Sequence, residues 1–158
     1  MSEYEIMCVC GSGHLYSAHW RDDGNRFCSQ CGAELFNECP SCKKLIPGAY
    51  RNSMVTMPYN DDDVPSFCGF CGKLFPWTQG RISFIIDAIE VDTALNKEER
   101  DKLCGAVPDL VASGEGIRRK KAILTIGRLI TKIGKGTFEM IIEHTAKGVT
   151  EALLKFRE

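Results

Sequence analysis

Eight of the nine cysteines fall into four close pairs before residue 72: Cys8/Cys10, Cys28/Cys31, Cys39/Cys42 and Cys68/Cys71. Three of the pairs read C-x-x-C. That spacing lets two thiolates reach one metal ion from a tight turn, with backbone N–H groups aimed back at the sulfurs. Eight donors make two tetrahedral sites, and soft sets of four favour zinc or an iron–sulfur centre. A first half built this way organises around metal rather than around a large apolar core.

The competing use of paired cysteines is a disulfide framework. The chain starts MSEYEIMCVCG, which is acidic and has no apolar run of a secretory leader. No stretch reaches the ~18 apolar residues of a spanning helix. Both point to a cytoplasmic protein whose thiols stay reduced and act as ligands. A disulfide scaffold would also leave Cys104 over.

The first half contains a repeat. Residues 27–36 read FCSQCGAELF and residues 67–76 read FCGFCGKLFP. Each is an aromatic residue, a knuckle closed by glycine, and an apolar tail. Glycine after the second cysteine suits a left-handed backbone. Cys39-Pro-Ser-Cys42 opens a second unit between the copies. A cross-brace would make the first and third pairs share a metal. The repeat favours tandem ribbons instead, since both copies end on the same closing knuckle.

Cys39, Cys42, Cys68 and Cys71 then form the second site, and Cys28 and Cys31 close the first. Cys8-Val-Cys10 lacks the two-residue spacer of the other three pairs and reads as a poor knuckle. Cys10-Gly-Ser-Gly-His14 supplies a thiolate and an imidazole around a glycine turn. Cys10 and His14 are favoured, with Cys8 as the alternative to His14. His19 reads as an ordinary surface or packing residue. The acidic run Asp61–Asp63 reads as a solvated tip in the long loop from Lys43 to Phe67. Phe75, Pro76 and Trp77 read as packing the metal module against the second half of the chain.

The second half reads as helices. Ile82, Ile85, Ile86 and Ile89 recur at helical spacing. Asn96 precedes an acidic first turn with Glu99 three residues on, a capping box. That helix is expected to stop near Val107, before Pro108. A third helix is expected over about 117–133 and a fourth over about 137–156, with Phe138, Ile141, Ile142, Thr145, Val149, Ala152, Leu153 and Phe156 on one stripe. Gly134 and Gly136 between them suggest a helical hairpin.

Charge divides along the same line. Residues 1–115 carry ten Lys/Arg against seventeen Asp/Glu, and residues 116–158 carry ten against four. Residues 116–138 hold Arg118, Arg119, Lys120, Lys121, Arg128, Lys132 and Lys135 with no acid. A basic amphipathic helix suits a protein surface, a nucleic-acid backbone or an anionic membrane. Simple solvation over an internally packed apolar stripe is the plainer alternative. Arg118, Arg119, Lys120, Lys121, Arg128 and Lys132 are the candidate partner-binding residues.

The fold expected is small, metal-dominated α+β: two tandem zinc ribbons, then an α-helical C-terminal region with a helical hairpin. Its divisions are a double-ribbon module at 1–78, a helical connector at 79–114 and a basic amphipathic region at 115–158. Two structural zinc ions are expected, since four protein donors close each site and a catalytic zinc keeps one position open. No nucleophile–base spacing or phosphate loop stands out, so a non-catalytic role is expected. The expected partner is a protein or a second copy, with nucleic acid or a membrane-associated role as alternatives and no small-molecule substrate.

The segment FCSQCGAELFNECPSC resembles the junction between units in double zinc ribbon proteins. Together with C-G-S-G-H at 10–14, ECPSCKKLIPG, FCGFCGKLFPWT, NKEERDKL and PDL at 108–110, it resembles a bacterial family known as domain of unknown function 2321. The resemblance covers most of the chain. Its pattern near the start, one cysteine, a glycine and a histidine, maps onto Cys10, Gly13 and His14. It implies that His14 rather than Cys8 completes the first site, and it implies architecture without a mechanism.

Overall fold

The computed structural model describes residues 3–51, 58–112, 114 and 116–157. They fall into two compact units, residues 1–78 and 79–158.

The first unit is made of very short strands. β1 (Tyr4–Ile6) pairs antiparallel with β5 (Pro47–Tyr50). β2 (Cys8–Cys10) lies between β3 (Leu15–Ser17) and β4 (Leu35–Phe36), antiparallel to both. Single bridges join Phe27 to Glu34, Glu38 to Leu45 and Phe67 to Leu74. Each bridge spans one C-x-x-C, so every knuckle is the tip of a tiny hairpin.

Gly48 on β5 sits where no other residue fits. A Cβ there would lie 2.3 Å from the Ala18 carbonyl oxygen and 2.9 Å from the Ile6 carbonyl carbon. The absent side chain lets two backbones approach closely.

A modest core joins the two ribbons. It contains Met7, Val9, Ile46, Val64, Phe75 and Trp77 together with Cys39 and Cys68, flanked by Leu15, Phe36 and Tyr59. Phe75 and Trp77 stack at 4.5 Å, and the indole N–H of Trp77 donates to the Pro65 carbonyl at 2.9 Å. The sequence suggests that these two rings face the helical half. Both rings lie in the first unit's own core, where the ribbons contribute few large apolar side chains. The acidic tip is a 3-10 turn capped by the Asn60 side chain, with Asp61–Asp63 exposed. Asp61 also accepts from the Leu15 N–H at 2.6 Å, which ties the tip to the first ribbon. The part of that loop at 52–57 lies outside the described residues.

The described residues then form five helices: α1 (Pro76–Glu90), α2 (Lys97–Ala112), α3 (Ile117–Leu129), α4 (Lys135–Glu143) and α5 (Lys147–Leu154). α1 starts in the first unit and runs into the second. α3 packs against α2 and α5. Ile85, Ile89, Leu103, Leu110, Ile126, Ile130, Ile141 and Leu153 are among the fully buried side chains. The Asn96 capping box forms as its sequence suggests. The Glu99 N–H donates to Asn96 Oδ1 at 2.9 Å, and the Asn96 N–H to Glu99 Oε2 at 3.0 Å.

Three helix boundaries differ from the sequence-based expectation. α2 does not stop before Pro108 but runs through it to Ala112. Pro108 is exposed, while Leu103, Val107 and Leu110 are buried on the opposite side. Packing of that face outweighs one lost backbone hydrogen bond. α3 ends at Leu129 and not at 133, yet Ile130 and Ile133 remain buried in the turn after it. The single helix expected over 137–156 is two helices broken at His144–Ala146. Of the expected stripe, Phe138 and Ile141 on α4 and Val149 and Leu153 on α5 are buried, while Phe156 is exposed. No helix among the described residues is long and apolar enough to cross a membrane.

Candidate metal centres

The three C-x-x-C knuckles are closed by the same pair of backbone bonds. The first cysteine's N–H donates five residues forward: Cys28 to Ala33, Cys39 to Lys44 and Cys68 to Lys73, each at 2.8 Å. Its carbonyl accepts from four residues on: Gly32 at 2.8 Å, Lys43 at 2.9 Å and Gly72 at 2.8 Å. Those fourth residues have a left-handed backbone, with φ of 72° at Gly32, 61° at Lys43 and 72° at Gly72. Glycine does this without strain, whereas Lys43 does it against its own Cβ.

The Cys10–His14 turn is a variant. Here the Cys10 N–H donates to the His14 carbonyl at 3.1 Å, and the Gly13 N–H to the Cys10 carbonyl at 2.8 Å. Gly13 has φ of 93°, and a Cβ on it would lie 3.3 Å from Trp77 Cβ. The turn therefore needs glycine for both its backbone and its contact with the core.

These turns assemble two sets of four donors: Cys10, His14, Cys28 and Cys31, and Cys39, Cys42, Cys68 and Cys71. Within each set the donor atoms all lie within 4.8 Å of one another. The ribbons are thus tandem and not cross-braced. Cys8 belongs to neither set. It lies buried on β2, and burial pushes its thiol up to about 11, which keeps it protonated.

The spacings can be tested against an ion. Four Zn–S bonds of about 2.3 Å at tetrahedral angles put sulfurs about 3.8 Å apart, and a Zn–N bond of about 2.0 Å puts nitrogen about 3.5 Å from sulfur. Cys10–Cys31 is 3.7 Å, Cys39–Cys71 3.8 Å and Cys42–Cys68 3.6 Å. His14 Nδ1 lies 3.5 Å from Cys10 Sγ and 3.9 Å from Cys28 Sγ. Both sets fit a tetrahedral ion of that size, and a sulfur–imidazole mixture is a donor set that zinc takes.

Backbone donors favour the anionic sulfurs. The His14 N–H lies 3.3 Å from Cys10 Sγ and the Phe70 N–H 3.4 Å from Cys68 Sγ. At Cys31, the Ser12 hydroxyl 3.5 Å away and the Ala33 N–H bring the thiol down to about 6. At Cys39, the N–H groups of Cys42 and Ser41 bring it to about 7 against burial. Cys42 goes the other way: the Lys44 N–H favours its thiolate, but burial and the neighbouring sulfurs of Cys68, Cys71 and Cys39 push it up to about 11. Crowded sulfurs resist full ionisation until a cation neutralises them. Each set has two buried thiols, while Cys31 and Cys71 face solvent.

The basic residues named from the sequence lie on or just after α3. Arg118, Lys120, Lys121, Arg128 and Lys132 are exposed and Arg119 is half-buried. Lys132 is engaged with Glu99. The other five form no ion pair with a described residue. His19 stands outside both metal sets, with its ring edge-on to Tyr59 at 6.4 Å. Two contributors are not recognisable by the spacing argument. Ser12 could have been found as the one hydroxyl in the first turn. Lys43 at a left-handed position carries no sequence signal, because glycine is the expected residue there.

The model of a family described as an uncharacterized protein conserved in bacteria, domain of unknown function 2321, matches residues 3–156. No curated protein and no solved structure matches the chain.

Proposed function

We propose that this chain, which belongs to that bacterial family, is a zinc-binding protein with two structural ions and no catalytic role. One observation carries the reading: protein donors fill all four positions of both tetrahedral sets. A catalytic zinc needs a position for water or substrate. The ions would fix the ribbons of a cytoplasmic scaffold. The helical unit would contact a protein partner or a second copy through the basic, amphipathic α3 and the C-terminal end of α5 with the residues after it. Exposed Ile117, Leu124, Leu154 and Phe156 support that surface. Light scattering of the metal-loaded full chain over a concentration series tests self-association. A mass that rises with concentration and falls back in a Leu124→Glu variant is the expected result. A monomer throughout, with no change on substitution, would exclude a second copy as the partner.

A second reading has its own observation. Arg118, Lys120, Lys121 and Arg128 are exposed and unpaired among the described residues. Such a row suits a polyanion such as a nucleic-acid backbone, and binding would then weaken steeply with salt. Titration of a labelled oligonucleotide at two salt concentrations tests this, and absent or salt-independent binding removes it.

A further inference from the structure

The outer faces of the second site's two knuckles border a groove that the metal chemistry does not use. It has a volume of about 820 Å³, and Tyr4, Ile6, Trp20, Leu45, Pro47 and Phe70 are among the residues that line it. A smaller recess of about 250 Å³ adjoins it and shares Lys44, Leu45, Ile46, Pro47 and Phe70. Large apolar side chains lie open along it: Phe70 is 62% exposed, Leu45 51% and Tyr4 48%. The knuckle turns hold Leu45 and Phe70 out, since Glu38 bridges Leu45 and the Phe70 N–H is bound to Cys68 Sγ.

Charge in this unit is sorted around the groove. Residues 1–78 contain six Lys/Arg and nine Asp/Glu. Four of those cations, Arg21, Lys43, Lys44 and Arg51, line the groove with a single acid, Glu5. The rest of the unit keeps two cations against eight acids. Glu5 pairs with Arg51 at 3.0 Å and lies 3.9 Å from Arg21, and Lys43 pairs with Glu38 at 3.2 Å. Lys44 forms no ion pair with a described residue. The groove is a positive slot in an acidic module.

We propose that this groove binds a short peptide segment of another protein that alternates carboxylates with aromatic or aliphatic side chains. The carboxylates would meet Lys44 and its cationic neighbours, and the apolar side chains would cover Phe70 and Leu45. The field favours a short anionic segment over a long polyanion. One or two carboxylates fit inside the positive slot, whereas an extended nucleic-acid strand would run out over the acidic surround. The proposal rests on the zinc reading, because the second site's turns orient the groove.

The test is fluorescence anisotropy on the full, zinc-loaded chain. The probe is a labelled peptide of alternating glutamate and phenylalanine or leucine. Its controls are the same peptide with lysine for glutamate, the same with alanine for the apolar residues, and a labelled thymidine oligonucleotide. The peptide is expected to bind saturably and each control at least tenfold more weakly. Lys44→Glu and Phe70→Ala are each expected to weaken the peptide at least tenfold. Both side chains are exposed, and their backbone contacts to the second site remain. Metal content measured on the same samples separates failure of the groove from failure of the zinc reading. With two zincs retained, no saturation, equal binding of the lysine peptide, or undiminished binding by both variants would overturn the proposal. Oligonucleotide binding that competes for the groove would overturn it in favour of a single-stranded nucleic acid.

Discussion

Lys43 shows how strongly a metal-binding turn constrains one residue. The equivalent positions of the other two knuckles are glycine, and all three share a left-handed backbone, with φ of 61° at Lys43 and 72° at both glycines. An L-residue there costs about 1–2 kcal/mol relative to glycine, partly offset by glycine's greater freedom in the unfolded chain. The exposed Lys43–Glu38 pair contributes little against this. Lys43→Gly is therefore expected to stabilise the metal-loaded protein by about 0.5–1 kcal/mol, read as a raised thermal midpoint. A lowered midpoint would mean that the lysine side chain contributes more than its backbone costs.

The donors themselves are legible at this scale because their chemistry is carried by residue type and spacing. Strand geometry does not tell Cys8 from Cys10, since residues at i and i+2 share a face; Cys10 is marked instead by the glycine turn that leads to His14. The closeness required at Gly48 is not legible, because the carbonyl that excludes a side chain comes from Ala18 in a distant part of the sequence.

Among the elements, the link between α1 and α2 depends on one buried carboxylate. Asp92 accepts from the Ala94 N–H at 2.9 Å and from the Gly134 N–H at 2.8 Å, so it also fixes the entry to α4. Burial acts to raise its pKa, but the Ala94 N–H, the Thr137 hydroxyl, the Gly134 N–H and the Arg100 charge outweigh it and leave it below the usual value. A depressed folded pKa gives stability that is present above the unfolded value, about 4, and is lost as pH falls through the folded value. Asp92→Ala is expected to cost about 1–3 kcal/mol at neutral pH, because buried donors lose a charged acceptor. Its deficit should shrink in acid. Thermal melts of helical circular dichroism at neutral and low pH would check both the size and the sign.

Helix existence is readable from apolar periodicity and from the Asn96 capping box, while helix ends are not. Pro108 argues for a stop by local rules, yet the burial of Leu103, Val107 and Leu110 carries α2 past it. The break at His144–Ala146 leaves no mark, since neither glycine nor proline sits there and Ala146 makes no side-chain cap. Local propensity decides such boundaries only when tertiary packing is indifferent.

At the level of the whole molecule, two units draw their stability from different sources. The helical unit buries isoleucines and leucines from all five helices. The ribbon unit has a small core that includes two of its own metal ligands, Cys39 and Cys68. Structural zinc contributes on the order of 10 kcal/mol per site in domains of this kind. Loss of either ion is thus expected to unfold its ribbon.

Native mass spectrometry of the full chain, beside Cys8→Ser, Cys10→Ser and Cys39→Ser variants, tests this account most directly. Two zinc ions are expected in the parent and in Cys8→Ser, and one in each of the other two. Fewer than two zincs in the parent, or a loss in Cys8→Ser with Cys10→Ser unaffected, would contradict it.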